Sequence, residues 1–159
     1  MKINVSDNFF TRAKPIWAKG LEKEKNITLG LYKKIRCESG SAILKIAASG
    51  FYRVFVNGKF TYFGPARCAH GYYRVDEIEL NLKKGENHIA IETVNYYVNS
   101  FYSLMQSGFI EAELVSDGAA AAVTDEAGEN AFELYELCER IRRVQRYSYQ
   151  RPFAEAYRL

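Results

Sequence analysis

The chain has 159 residues, 48% hydrophobic and 26% charged, which is the size and composition of one folded domain and excludes a disordered or fibrous protein. Its formal net charge of +3 is segregated: residues 1–110 carry +7, residues 111–139 carry nine acids and no base, and residues 140–159 carry +5. That pattern marks off a distinct end piece and excludes a uniformly basic surface of the kind nucleic acids select.

The opening, MKINVSDNFFTRAK, lacks the apolar stretch of a secretory signal, so a cytoplasmic location is expected. No later run approaches the roughly 20 apolar residues of a membrane-spanning helix. Three widely spaced cysteines, Cys37, Cys68 and Cys138, form no CxxC. They suit a reducing compartment and supply neither a disulfide framework nor a zinc site.

Ile27–Ile35 is a weak first strand candidate. Ser41–Ala48 alternates, with Leu44, Ile46 and Ala48 on one face and Ile43, Lys45 and Ala47 on the other. Phe51–Asn57 alternates again through Tyr52, Val54 and Val56, and Asn57-Gly58 supplies the two positive-φ positions of a type I′ hairpin into Lys59–Phe63. Gly64-Pro65 ends that strand, because proline donates nothing to a ladder. Tyr72–Leu80 is the next expected strand, with Tyr73 and Val75 inward before an acidic break at Asp76-Glu77. The polar turn Lys83–Asn87 feeds His88–Val94, where Ile89, Ile91 and Thr93 share a face. In Ser107–Ser116 the residues Ile110, Ala112 and Leu114 point inward, with Glu111 and Glu113 outward. Ala119–Ala122 reads as a short low-complexity tract. Short strands separated by turn chemistry, without βαβ alternation, predict an all-β antiparallel sandwich over residues 1–128.

From residue 129 the pattern changes. Leu134, Leu137, Ile141 and Val144 recur at steps of three and four, with acids early and arginines late, as in an amphipathic helix aligned with its macrodipole.

Several stretches of the sequence resemble a known family. Ala48-Ser-Gly-Phe-Tyr-Arg-Val-Phe-Val-Asn-Gly-Lys-Phe60, followed by Gly64-Pro65-Ala66-Arg67, is similar to the core of the N-terminal β-sandwich of bacterial α-L-rhamnosidases, glycoside hydrolase family 78. Tyr73–Ile78 with Leu82–Ile91 looks like that domain's next two strands and their turn, and Pro15-Ile16-Trp17-Ala18 like its entry segment. The resemblance spans about residues 14–116. It implies a jelly-roll, galactose-binding-like sandwich acting as an accessory domain, since catalysis in the family lies in an (α/α)-barrel that this chain has no room for. Residues 129–159 would then be the connector toward a downstream catalytic domain, and the same resemblance implies an extended edge segment near Phe132–Tyr135. The helical and extended readings of residues 129–146 conflict, and both stand at this stage. The Val-Asn-Gly-Lys hairpin and Lys-Gly-Glu-Asn turn also occur in the sugar-binding domain of β-galactosidases, an alternative parentage.

Candidate chemistry is sparse. Glycoside hydrolysis needs two carboxyls roughly 6.5–9.5 Å apart for inversion or about 5 Å for retention. Glu111 and Glu113 would stand about 6.6 Å apart from strand rise alone, but an outward-facing pair lacks the burial that makes an acid catalyst; Glu77/Glu79 and Glu22/Glu24 fail alike. His88 has no carboxylate spaced to orient it. The Cys68/His70 pair has no third group, so cysteine nucleophile chemistry is not expected. Arg140, Arg142, Arg143, Arg146 and Arg151 follow nine acids and suit internal or interdomain pairing, not phosphates. Asn26-Ile27-Thr28 matches a glycosylation sequon, without meaning in a chain read as unsecreted.

Two loops offer the pairing that sugars use, aromatic stacking plus polar hydrogen-bonding groups. One carries Arg67, His70, Tyr72 and Tyr73; the other carries Tyr96, Tyr97, Phe101 and Tyr102. The candidate carbohydrate contacts are Arg67, His70, Tyr72, Tyr97 and Tyr102, against the plainer reading that these side chains cover the sandwich end or pack on a neighbouring domain. The sequence therefore predicts no catalytic residue, metal or cofactor in this chain and gives no indication of a structural calcium. Expected partners are a downstream catalytic domain and rhamnose-containing or other glycans, with no nucleic acid and no membrane. An autonomous carbohydrate-binding module is the alternative function.

Overall fold

Antiparallel pairing organises the computed structural model, which describes residues 9–69, 72–99 and 104–137. Nine strands lie in the described residues: β1 (Ile27–Cys37), β2 (Ser41–Ala48), β3 (Phe51–Val56), β4 (Lys59–Gly64), β5 (Asp76–Asn81), β6 (Gly85–Asn95), β7 (Ile110–Ser116), β8 (Ala119–Val123) and β9 (Glu133–Glu136). They form a five-stranded sheet in the order β4-β3-β6-β1-β9 and a four-stranded sheet in the order β5-β2-β7-β8. The two sheets make a β-sandwich, as the alternating patterns predict. No helix occurs among the described residues.

The inward residues of both sheets build one core. Leu44, Ile46 and Leu114 from the smaller sheet meet Leu31, Val54, Ile89 and Ile91 from the larger, all essentially inaccessible. Each fully buried aliphatic side chain contributes roughly 1.5–3 kcal/mol, so alternation alone explains why these strands face as they do.

Turn chemistry sets the ends. Asn57 and Gly58 both take positive φ, 52° and 77°, in the β3–β4 hairpin, as the type I′ turn requires. Asp117 and Gly118 do the same at 51° and 77° between β7 and β8, and the Asp117 carboxylate accepts the N–H groups of Glu38 and Ser39 at 2.9 and 2.8 Å. Asn87, fully buried, closes the β5–β6 turn by accepting from Lys83 N and donating to Lys83 O.

Three expectations need correction, and one strand was not anticipated. The stretch Tyr72–Val75 is not strand: β5 begins at Asp76, which is buried and opens the ladder instead of breaking it. Ala119–Ala122 belongs to strand β8. Glu113 is buried, 1% exposed, beneath the N-terminal segment: its carboxylate accepts Thr11 Oγ1 at 2.6 Å and the N–H groups of Thr11, Arg12 and Ala13 at 3.0, 2.7 and 3.1 Å. His88 does have partners, since its Nδ1 lies 2.7 Å from the Tyr32 hydroxyl and its Nε2 3.4 Å from Glu86.

Residues 133–136 are extended, pairing with Tyr32–Leu29 of β1. A helical periodicity does not survive there, because a sheet edge with open hydrogen-bonding groups is available and isolated helices of this length gain little. The helical pattern through Ile141 and Val144 and the arginines from Arg140 onward lie outside the described residues.

Candidate functional site

Three loops meet at one end of the sandwich: the β2–β3 turn, the β4–β5 loop and the β6–β7 loop. They enclose a cleft of about 320 Å³ lined by Ala48–Phe51, Pro65–Ala69, Tyr72–Arg74, Asn95, Tyr96, Leu104 and Gln106. The backbone comes very close at its floor. A Cβ on Gly50 would lie 1.9 Å from the Val94 carbonyl oxygen, so only glycine lets β2 turn into β3 here.

The floor is rigid because its polar groups satisfy one another. Gln106 Nε2 donates to Ser49 O at 2.6 Å, the Ser49 hydroxyl accepts Phe109 N at 2.9 Å, and Asn95 Nδ2 donates to Gln106 O at 3.0 Å. The walls are aromatic. Phe51 stacks on Phe63 with centroids 5.7 Å apart, Tyr96 meets Phe51 edge-on at 6.2 Å, and Tyr73 meets Phe109 at 4.6 Å. Tyr72 and Tyr73 are exposed, which places ring surface where a ligand could stack.

Electrostatics are one-sided. Among the described residues, Arg67 and Arg74 line the cleft and no carboxylate does. Behind it, buried Asp76 accepts Arg74 Nε on Oδ1 and the Tyr52 hydroxyl on Oδ2, both at 2.5 Å. The Asp76 carboxylate keeps the Arg74 guanidinium firmly protonated. Arg67 is exposed and has no ion pair among the described residues.

Of the five residues singled out in the sequence, Arg67 and Tyr72 line this cleft together. Tyr97 is half-buried at φ 50°, with its N–H donating to Asn95 Oδ1, and is not among the lining residues. His70 and Tyr102, with Phe101, lie outside the described residues. Phe51, Arg74 and Gln106 were not anticipated as lining residues. Arg74 follows Tyr72-Tyr73 directly and could have been suspected from its place in that loop; Phe51 and Gln106 are brought in by the fold alone.

Glu111 and Glu113 have polarised environments, but Glu113 is closed off. Burial pushes the Glu111 carboxyl upward, helped by the charge of Glu113. For Glu113 burial also acts upward, but the Thr11 hydroxyl and the N–H groups of Arg12, Ala13 and Thr11 outweigh it and the net shift is down. Such a split can mark an acid and base. Here every oxygen of Glu113 is taken by the segment lying over it, which leaves no place for a glycosidic bond. Among the described residues no group of three or more His, Cys, Asp or Glu is placed to hold a metal ion.

No protein-family model and no curated protein matches the sequence. Among solved structures, the GH78 family rhamnosidase of Bacillus sp. GL1 is similar over 92% of this chain, with a TM-score of 0.80 and 27% identity. The native α-L-rhamnosidase from Aspergillus terreus matches over 78% of the chain at TM-score 0.47 and 18% identity, and the PA14 sugar-binding domain from an RTX adhesin over 70% at 0.44 and 16%. The chain spans only 16% of the Bacillus rhamnosidase. The resemblance drawn from the Val-Asn-Gly-Lys and Gly-Pro-Ala-Arg text thus extends to three dimensions, over nearly the whole chain and a small part of a much larger glycoside hydrolase.

Proposed function

We propose that this chain is a non-catalytic accessory domain of an α-L-rhamnosidase-like glycoside hydrolase, bracing the catalytic domain and contributing to carbohydrate recognition through the cleft at the sandwich end. One observation carries the reading: a match over 92% of this chain that covers 16% of a rhamnosidase. A sandwich occupying so small a share of such an enzyme leaves the chemistry to the remainder, and the enclosed carboxylate of Glu113 agrees. The cleft supports the carbohydrate part, because it joins exposed rings to a cation over a rigid floor. Cys37 and Cys68, free among the described residues, fit a reducing, cytoplasmic setting.

The test has two arms. The chain alone is assayed on nitrophenyl α-L-rhamnoside and related nitrophenyl glycosides, with no hydrolysis expected. The encoding locus is read past the Leu159 codon, where a helical-barrel sequence is expected, and the longer polypeptide is compared with a version lacking residues 1–137. Loss of several degrees of thermal stability on deletion is the expected result. Hydrolysis by the chain alone, or a downstream catalytic region indifferent to the deletion, would overturn the reading.

A further inference from the structure

We infer that the cleft takes an acidic sugar, a hexuronate unit of a glycan, and that Arg67 receives its carboxylate. The inference rests on the carbohydrate part of the function proposed above and adds the chemical class of the ligand.

The first argument is charge. Two guanidinium groups line the cleft, and among the described residues no carboxylate lines it with them. Asp76, behind the cleft, is 3% exposed and holds Tyr52 and Arg74 on its two oxygens, so it balances Arg74, whereas Arg67 has no ion pair among the described residues. A cation in a concave site strengthens its pull on an anion, because low-dielectric walls focus the field. A guanidinium matches a planar carboxylate with two parallel hydrogen bonds, a geometry a lysine cannot supply.

The second argument is shape and surface. A volume of about 320 Å³ lies at the lower end of small-molecule sites, suited to one or two sugar rings and too small for a folded partner segment. Phe51, Tyr72, Tyr73 and Tyr96 present ring surface, on which the C–H face of a pyranose stacks. A small inorganic anion would have no use for those rings, and a neutral sugar would leave Arg67 without a partner. A ring bearing a carboxylate uses both.

Cys68 supplies the readout, since it is exposed and lines the cleft. The full 159-residue chain is titrated calorimetrically with glucuronate, galacturonate, glucose, galactose and rhamnose, while alkylation of Cys68 is followed by peptide mass mapping. Both uronates are expected to slow alkylation and to bind roughly tenfold or more tighter than their neutral parents, the range for charge-assisted hydrogen bonds. Arg67→Gln should abolish that preference without changing the melting temperature, because Arg67 is exposed and has no ion pair among the described residues. Tyr72→Ala should weaken uronate and neutral sugar alike. Equal binding of neutral and acidic sugars would sink the inference while leaving the carbohydrate role standing. Inhibition by acetate or inorganic phosphate equal to that by uronate would reduce the cleft to a general anion site. No heat and no protection with any sugar would overturn both inference and carbohydrate role.

Discussion

Tyr52 and Asp76 join the two sheets of the sandwich: the hydroxyl from β3 donates to Oδ2 of the first residue of β5 at 2.5 Å, inside the core. Burial drives the Tyr52 hydroxyl far above its ordinary pKa, and the Asp76 carboxylate adds to the shift. Tyr52 is therefore a permanent donor. The other oxygen of Asp76 holds Arg74 at the cleft, so one buried carboxylate ties core packing to the shape of the candidate site.

Tyr52→Phe should leave Asp76 Oδ2 without its donor and lower unfolding free energy by about 1–3 kcal/mol. Urea denaturation of the two proteins checks this, with the midpoint shifting and the slope unchanged.

Gly64→Ala attacks the same junction from β4. A Cβ there would fall 2.6 Å from the Tyr52 hydroxyl oxygen and 2.9 Å from Asp76 Oδ2. Neither group can swing away without breaking its bond, so a loss of about 1–3 kcal/mol is expected. A variant as stable as the parent would show that the junction can rearrange.

Glu113 gives the fold an acid-sensitive clasp. Its folded pKa lies below the usual value, so its contribution is present above the unfolded value of about 4.3 and is lost as pH falls through the folded one. Glu113→Gln should destabilise by roughly 1–2 kcal/mol at neutral pH, where charged hydrogen bonds become neutral ones. That difference should shrink toward pH 3. Thermal melts of both proteins across pH 3–7 measure it, and limited proteolysis should cut residues 9–18 sooner in the variant.

Trp17, the single tryptophan, is a built-in reporter. A Cβ on Gly108 would lie 2.4 Å from its ring, so Gly108→Ala should displace the indole and shift its fluorescence to the red, with about 1–3 kcal/mol lost. An unchanged spectrum would mean the entry segment accommodates the methyl group.

Most of the sandwich was legible in the sequence wherever side chains alternate in size and polarity. Leu44, Ile46, Tyr52, Val54, Ile89 and Ile91 announced their strands because one face must leave water. β8 was not legible from alternation, since four consecutive alanines carry no contrast between faces; the turn residues Asp117-Gly118 beside them were the available signal. Tyr72–Val75 imitated a strand because Tyr72, Tyr73 and Val75 all favour extended backbone, whereas Arg74 is drawn out to meet Asp76. The burial of Glu113 depends on Thr11–Ala13, about a hundred residues away, and no local pattern encodes such a meeting. The cleft divides the same way. Arg67 and Tyr72 stood out as a polar and aromatic loop, while Phe51, Arg74 and Gln106 became neighbours only when three loops closed on one end.

Strand β9 carries one further consequence. It is four residues long and all four are exposed, yet it covers the open side of β1 from Leu29 to Tyr32. Without it, an eleven-residue strand would present bare N–H and C=O groups to other copies, the geometry that seeds intermolecular pairing. A chain cut at Gly128 would keep nearly all of its core and still lose its guard against self-assembly. Strand β9 is thus a hem along the larger sheet: whether it stays paired with β1 governs whether that edge stays closed.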